Sequence, residues 1–343
     1  MSPESSARHA EVNGGRVYYE VRGSGPLLFV IGQPMTSGPF APLADLLATD
    51  HTVVTYDPHG VGKSTVADPA LDVTPEIEAD DLAAIVEELG AERADMFGSS
   101  GGAVAGLAFA AHHADKLGTL IAHEPPVTEL LADAPHIRTV VDDIQDTYRA
   151  AGAGAAWGKF VSMVMFDGPV PETGVPMVTW PPPGAGEDPG AGEAAGNGHG
   201  HRPDAAGEAA ASTDAAGQSA ASTEGAAASA AAPHETGEGE EQQPSGPPGQ
   251  RSEKDQADDE LFFLRMLKPF TRYDVPVEKL RSGAPRVVVA VGADSGEQIA
   301  RRSAEALAEG LGTPVTVFPG DHGGFIADPA GFAAAIREVL SNS

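Results

Sequence analysis

The chain of 343 residues contains no cysteine, which excludes disulfides, thiol nucleophiles and thiolate metal sites. It is short of positive charge: 21 Lys and Arg stand against 50 Asp and Glu, a formal charge of -29 at pH 7. That excess repels phosphate backbones and anionic lipid, and no basic cluster offsets it locally, so neither nucleic acid nor a membrane surface is expected as a partner. No run of about 18 apolar residues occurs, and the polar segment 1–10 lacks the apolar stretch of a secretory signal, so a cytoplasmic protein with a flexible amino terminus is expected. Between Trp180 and Leu261 there is no Val, Ile, Leu, Met, Phe, Trp or Tyr at all. Such a stretch has nothing to bury against its ordering entropy, and 181–258 reads as a disordered insert. Its His199, His201 and His234 read as solvated linker residues rather than metal ligands. Without the insert about 260 residues remain, enough for one large core.

What is present alternates between two periodicities. Strand-like runs at 17–21, 27–31, 52–56, 94–97 and 119–123 are separated by helix-like segments at 39–48, 75–89 and 101–114. Leu27 to Ile31 is wholly apolar, as expected of a strand covered on both faces. Thr74 and Pro75 suit the cap and first turn of the second helix, and Gly90 its stop. The pattern resumes with strands at 286–291 and 315–318 and helices at 297–311 and 329–340. Repetition of this kind implies a mostly parallel sheet with helices on both faces. The intervening region, 131–270, divides the core into 11–130 and 271–343. It carries helical spacing and bulky residues at 137–148, 156–166 and 261–270, and reads as a helical cap holding the insert.

The sharpest local signal is Gly98-Ser99-Ser100-Gly101-Gly102, where a strand meets an Ala-rich helix. A turn that tight strains the backbone of Ser100 and needs small residues two before and two after it; it projects the hydroxyl outward and aims the Gly101 amide at the same space. Gly60-Val61-Gly62-Lys63-Ser64 resembles the end of a phosphate-binding loop, but the Gly that motif requires five positions before Gly62 is Asp57 here. Nucleotide binding is therefore not expected.

These segments together resemble the α/β-hydrolase fold superfamily, in its cap-bearing branch of small serine hydrolases. Ile31-Gly32-Gln33-Pro34 stands where the family usually has His-Gly-x-Pro after its third strand, with the His absent. Asp57-Pro58-His59-Gly60-Val61-Gly62-Lys63-Ser64 is similar to the family's Asp-x-x-Gly-x-Gly-x-Ser loop, and Asp321-His322-Gly323 follows the last strand, as the family's catalytic histidine does. The resemblance implies Ser100 as nucleophile, His322 as its base, and the backbone amides of Gly101 and Gln33 as oxyanion donors. A serine hydroxyl needs such a base at neutral pH, and His322 is the one histidine of eleven on a Gly-rich turn after a terminal strand. For the acid, Asp294 lies after the family's seventh strand, one residue nearer the preceding Gly than the commonest spacing, and is taken first. Glu124, after the sixth strand, is the alternative that some cap-bearing relatives use. Met35, Trp157, Phe160, Met163 and Phe263 are the candidate substrate contacts. The expected activity is hydrolysis of a small hydrophobic ester, thioester or lactone through an acyl-enzyme, with no cofactor or metal. Perhydrolase or haloperoxidase-like chemistry on the same acyl-enzyme, and a non-catalytic ligand receptor, are the alternatives.

Overall fold

A computed structural model describes residues 5–177, 252–282 and 285–342. Its elements run β1 (Ser6–Val12), β2 (Gly15–Gly23), β3 (Leu27–Ile31), α1 (Ala41–Leu47), β4 (Thr52–Tyr56), β5 (Thr65–Val66), α2 (Pro75–Glu88), β6 (Ala94–Ser99), α3 (Gly101–His112) and β7 (Leu117–His123). After these come α4 (Ala134–Ala151), α5 (Ala153–Val164), α6 (Glu253–Leu261), a π-helical turn (Phe262–Met266), α7 (Leu267–Thr271) and α8 (Val277–Arg281). The chain closes with β8 (Arg286–Gly292), α9 (Ile299–Leu311), β9 (Thr316–Phe318), α10 (Gly324–Ala327) and α11 (Pro329–Ser341).

The sheet order is β1-β2-β4-β3-β6-β7-β8-β9, with β5 pairing on β2. The strands from β4 to β9 along this order are parallel, and β1 and β2 are antiparallel additions at one edge. Each central strand feeds two cores through the alternation of its side chains. Phe29, Ile31, Met96, Leu120 and Val289 face the core under α2, α3 and α9; Leu28, Val30, Phe97, Ile121 and Ala290 face the core under α1 and α11. This is the α/β-hydrolase fold.

Two expectations about boundaries change. Residues 6–12, read as a polar flexible terminus, form an edge strand whose only buried side chain is Ala10. Asn13-Gly14 joins it to β2 in a two-residue hairpin, with Gly14 at φ 86°, and turn chemistry specifies this pairing where hydrophobicity does not. The acidic end of the low-complexity stretch, 253–258, is helical in α6, begun by a capping box in which Ser252 and Asp255 satisfy each other's backbone N–H groups. The rest of that stretch and its three histidines lie outside the described residues. Among the described residues no helix is long and apolar enough to cross a membrane.

Candidate active site

The carboxyl ends of the parallel strands converge on one place, where open α/β sheets gather ligands. Ser100 follows β6 with φ 54° and ψ -124°, a backbone state that side chains rarely adopt. Packing holds it there. A Cβ on Gly98 would fall 2.5 Å from the Gly102 carbonyl oxygen, and one on Gly102 would fall 2.6 Å from the Ile31 carbonyl oxygen. The strand, the helix and the neighbouring β3 thus touch backbone to backbone, and the Ser100 N–H is fixed by donating to the His123 carbonyl at 2.9 Å.

The oxyanion donors expected from sequence face the same turn. Gly101 opens α3, so its N–H has no acceptor within the helix. It packs directly on Gln33, whose carbonyl oxygen would lie 2.8 Å from a Cβ at position 101. Ser100, Gly101, Gln33 and His322 all line one cavity of about 60 Å³, partly open to solvent.

His322 sits on the turn between β9 and α10. Its Nδ1 donates to Glu124 Oε2 at 2.7 Å, and the Gly292 N–H donates to Glu124 Oε1 at 2.8 Å. Glu124 is fully buried and holds φ 46° at the end of β7, with its own N–H donating to the Ala290 carbonyl. Burial alone would raise its carboxyl; the His322 hydrogen bond and charge, with help from His123 and Ser295, outweigh that and hold the pKa down at about 2. Asp294, the acid placed first from sequence, is exposed, and its N–H donates to the Gly320 carbonyl at 2.8 Å. The carboxylate that meets the imidazole is therefore Glu124. The β8 turn aims Asp294 at solvent and closes on Ser295, which is buried.

Behind this pair lies a group the sequence reading did not single out. His123 is fully buried, hydrogen-bonded through Nδ1 to Ser99 Oγ at 3.0 Å, and packed among Phe97, Phe318, Phe332 and the ring of His322. Burial drives its pKa down from 6.5 to about 4, so it is neutral at physiological pH. A folded-state pKa below the unfolded one means the native state resists protonation. Its stabilising effect is complete above pH 6.5 and fades as pH falls toward 4. We predict that the stability of the wild type relative to His123→Phe falls by on the order of 3 kcal/mol over that window, measured by urea unfolding at each pH. A difference that stays flat with pH refutes the neutral, buried assignment.

The region between β7 and β8 covers the cavity. Phe160 and Met163 of α5 line it, together with Phe262 and Met266 of the π-helical turn and Phe270 of α7. Trp157, Phe263 and Met35 do not line it. Trp157 stacks on Phe262, meets Phe160 and Phe263 edge-on, and donates its indole N–H to Asp259 Oδ1 at 2.8 Å. Phe263 is fully buried beside Tyr148, and Met35 packs on the core under α1. These three pack elsewhere, and within the π-turn it is Phe262 and Met266, not Phe263, that line the cavity. Gln145 of α4 steadies that turn by donating to the Phe263 carbonyl at 2.8 Å. The helical spacing of 261–270 gave no sign of the extra residue in this turn.

In the loop 57–64 the buried Asp57 carboxylate gathers several hydrogen bonds. Asp57 accepts at Oδ1 from the N–H and hydroxyl of Ser37, at 2.9 and 2.8 Å, and at Oδ2 from the Lys63 N–H at 2.8 Å. The Lys63 amide is thus turned onto a buried carboxylate, and the Gly62 N–H donates to Asp258 Oδ2 at 3.1 Å. The loop braces the segment that follows Gln33.

A family model described as "alpha/beta hydrolase fold" matches residues 25–177. The chain is 32% identical over 143 residues to the uncharacterized hydrolase YraK of Bacillus subtilis, an alignment covering 41% of this chain and 53% of that protein. It thus spans about half the length of this relative. Among solved structures, a thermophilic esterase from Thermogutta terrifontis superposes with a TM-score of 0.62 at 15% identity, covering 98% of each chain. A bromoperoxidase from Bacillus anthracis gives 0.61 at 14% identity, covering 98% of this chain and all of that one.

Proposed function

Since this chain has the α/β-hydrolase fold and its residues 25–177 match that family's model, we propose that it is a serine hydrolase acting on small hydrophobic carboxylic esters, thioesters or lactones. One observation carries the reading: a serine in the strained conformation of a nucleophile elbow shares an apolar cavity with a histidine whose far nitrogen is held by a buried carboxylate. In this mechanism the Ser100 hydroxyl attacks the acyl carbonyl while His322 Nε2 takes its proton. Glu124 keeps Nδ1 protonated, fixing the tautomer in which Nε2 can act as base, and stabilises the imidazolium. The Gly101 and Gln33 amides receive the developing oxyanion, where one donor is typically worth about 10²- to 10³-fold in rate. His322 then protonates the leaving group, and water, activated by the same imidazole, releases the acid and regenerates Ser100.

The cavity wall supports an apolar acyl group: Phe160, Met163, Phe262 and Met266 surround the elbow, with Thr128 and Thr271 as minority polar contacts. The likeness to a bromoperoxidase favours a second reading, in which hydrogen peroxide replaces water at the acyl-enzyme and leaves as the peracid.

The test is hydrolysis of short-chain p-nitrophenyl esters by the wild type and Ser100→Ala, with fluorophosphonate labelling and mapping of the modified residue. The expected result is label on Ser100 alone and a loss of at least about 10³-fold in turnover for the variant. Turnover that survives the substitution rejects the mechanism. Stoichiometric binding without turnover in the wild type points to a receptor. Peracid formed faster than acid in added peroxide selects the second reading.

A further inference from the structure

Gln33 brings to the cavity a side chain as well as an amide, and that side chain is held unusually. It is 2% exposed. Its Nε2 donates to the Tyr56 hydroxyl, the Tyr56 hydroxyl donates to Glu78 Oε2 at 2.5 Å, and Glu78 Oε1 accepts the His59 N–H at 3.1 Å. Tyr56 has a single proton. While that proton goes to the Glu78 carboxylate, the phenol oxygen can only accept, so the amide must present its NH₂ to Tyr56 and its Oε1 elsewhere. Oε1 is then buried and, among the described residues, has no partner.

We propose that Gln33 is a specificity residue of the acyl site, its amide held by Tyr56 and Glu78 so that an unpaired acceptor is kept for a hydrogen-bond donor on the acyl chain. The substrate class is thereby narrowed to esters whose acyl chain carries a hydroxyl or N–H within a few bonds of the carbonyl, because the oxyanion amide and the acceptor belong to the same residue. A buried acceptor left without a partner is costly, and a donor-bearing acyl chain removes that cost on binding whereas a methyl or ether does not. This inference rests on the hydrolase reading for its reaction but not for its binding preference.

The chain of bonds has a second arrangement. If Glu78 carries a proton on Oε2, it donates to the phenol oxygen, Tyr56 donates to Gln33 Oε1 after the amide turns over, and the NH₂ is left in place of the acceptor; Oε1 of Glu78 still accepts from His59. The groups that face Glu78 are Tyr56 from β4, His59 from the 57–64 loop and Asp81 one turn on along α2, itself bound to His59 Nδ1 at 2.8 Å. Burial, then the charge of Asp81, push Glu78 up to about 7 against the pull of Tyr56 and His59. The acceptor form of Gln33 therefore dominates above neutrality and the donor form below it.

The experiment measures kcat/KM between pH 5.5 and 8.5 for aryl esters of 3-hydroxybutanoate and 3-methoxybutanoate. The hydroxyl can donate or accept; the ether can only accept. Their ratio at each pH cancels any pH effect on the machinery that both substrates share, and the constant difference in size. We expect the hydroxy-to-methoxy ratio to fall by about fivefold or more on acidification of the wild type, equivalent to one ordinary hydrogen bond. In Glu78→Gln, which cannot titrate, the ratio stays constant with pH. Tyr56→Phe, which severs the chain, gives the same flat profile and guards against a folding defect in either variant. Dissociation constants of the two esters for the Ser100→Ala protein report the same ratio without turnover. Loss of hydrolysis with the binding ratio intact sinks the hydrolase reading and spares this one. A wild-type ratio unmoved by pH, a pH-dependent ratio that persists in Glu78→Gln, or no binding of either ester overturns the role of Gln33.

Discussion

Glu124→Gln lowers kcat/KM for a p-nitrophenyl ester by about 10³- to 10⁴-fold, while Asp294→Asn stays within about twofold of wild type. The reason is geometric. Glu124 Oε2 accepts the His322 Nδ1 proton and its other oxygen is already taken by the Gly292 N–H, so the carboxylate is fixed at both ends. An amide in its place can donate its NH₂ to Nδ1, which favours the tautomer protonated on Nε2 and leaves Ser100 facing a nitrogen that cannot accept. Asp294 is exposed and reaches no such position. Steady-state rates of the two variants decide the matter: equal losses, or the larger loss at Asp294, overturn the assignment of Glu124. Circular dichroism controls for folding, because an uncharged Gln removes a buried anion that the native state holds at a pKa of about 2. That same shift implies stability that is present above pH 4.5 and lost as pH falls toward 2, and it should be missing in Glu124→Gln.

Gly102→Ala is the second large effect, expected on both stability and rate. The added methyl would sit 2.6 Å from the Ile31 carbonyl oxygen and 2.7 Å from the Gly32 Cα, both backbone atoms with no rotamer to yield. Helix α3 must back away from β3, and this costs about 3 kcal/mol, or roughly 5–10 °C in Tm for a domain of this size. The shift also pulls the Gly101 and Gln33 amides apart, since these residues are in contact across the same gap. Activity should therefore fall about 10²-fold even at temperatures where the variant is fully folded. Gly106→Ala in the same helix is the contrast. Its added methyl would meet the ends of the Leu120 and Met96 side chains, which can move, so a smaller loss of Tm and near-normal turnover are expected. Thermal melts of both variants, paired with ester rates at 25 °C, check the distinction; equal behaviour of the two counts against the backbone-contact argument.

Much of the architecture was legible before any coordinate. The apolar run of β3, the alternation of strands and helices, and the capped start of α2 at Thr74 and Pro75 rest on local rules that tertiary contacts did not override. Ser100 was legible because the elbow writes its steric demands into the sequence as glycines at fixed offsets. His322 was legible because a histidine on a Gly-rich turn after the last strand has few other reasons to be there. Strand β1 was missed, since its pairing rests on Asn13-Gly14 and backbone hydrogen bonds rather than on apolar side chains. Of the five residues expected at the cavity, two line it and three do not. Phe160 and Met163 face it, but the π-turn at 262–266 shifts the helical phase, so Phe262 lines the cavity and Phe263 is buried beside Tyr148.

Local chain chemistry determined which groups could react: one hydroxyl on a strained turn, one imidazole on a Gly-rich one, and two carboxylates at strand ends. Only the tertiary structure chose between those carboxylates, because the choice depends on the stagger of β7 against β8. That register places the Gly292 N–H against Glu124 and turns Asp294 outward. The tertiary fold likewise brings the Gln33 amide to the Tyr56 hydroxyl, 23 positions along the chain. Steric rules act over four or five residues and leave a local trace, whereas a hydrogen bond spanning 198 positions, as between Glu124 and His322, leaves none until the chain has folded.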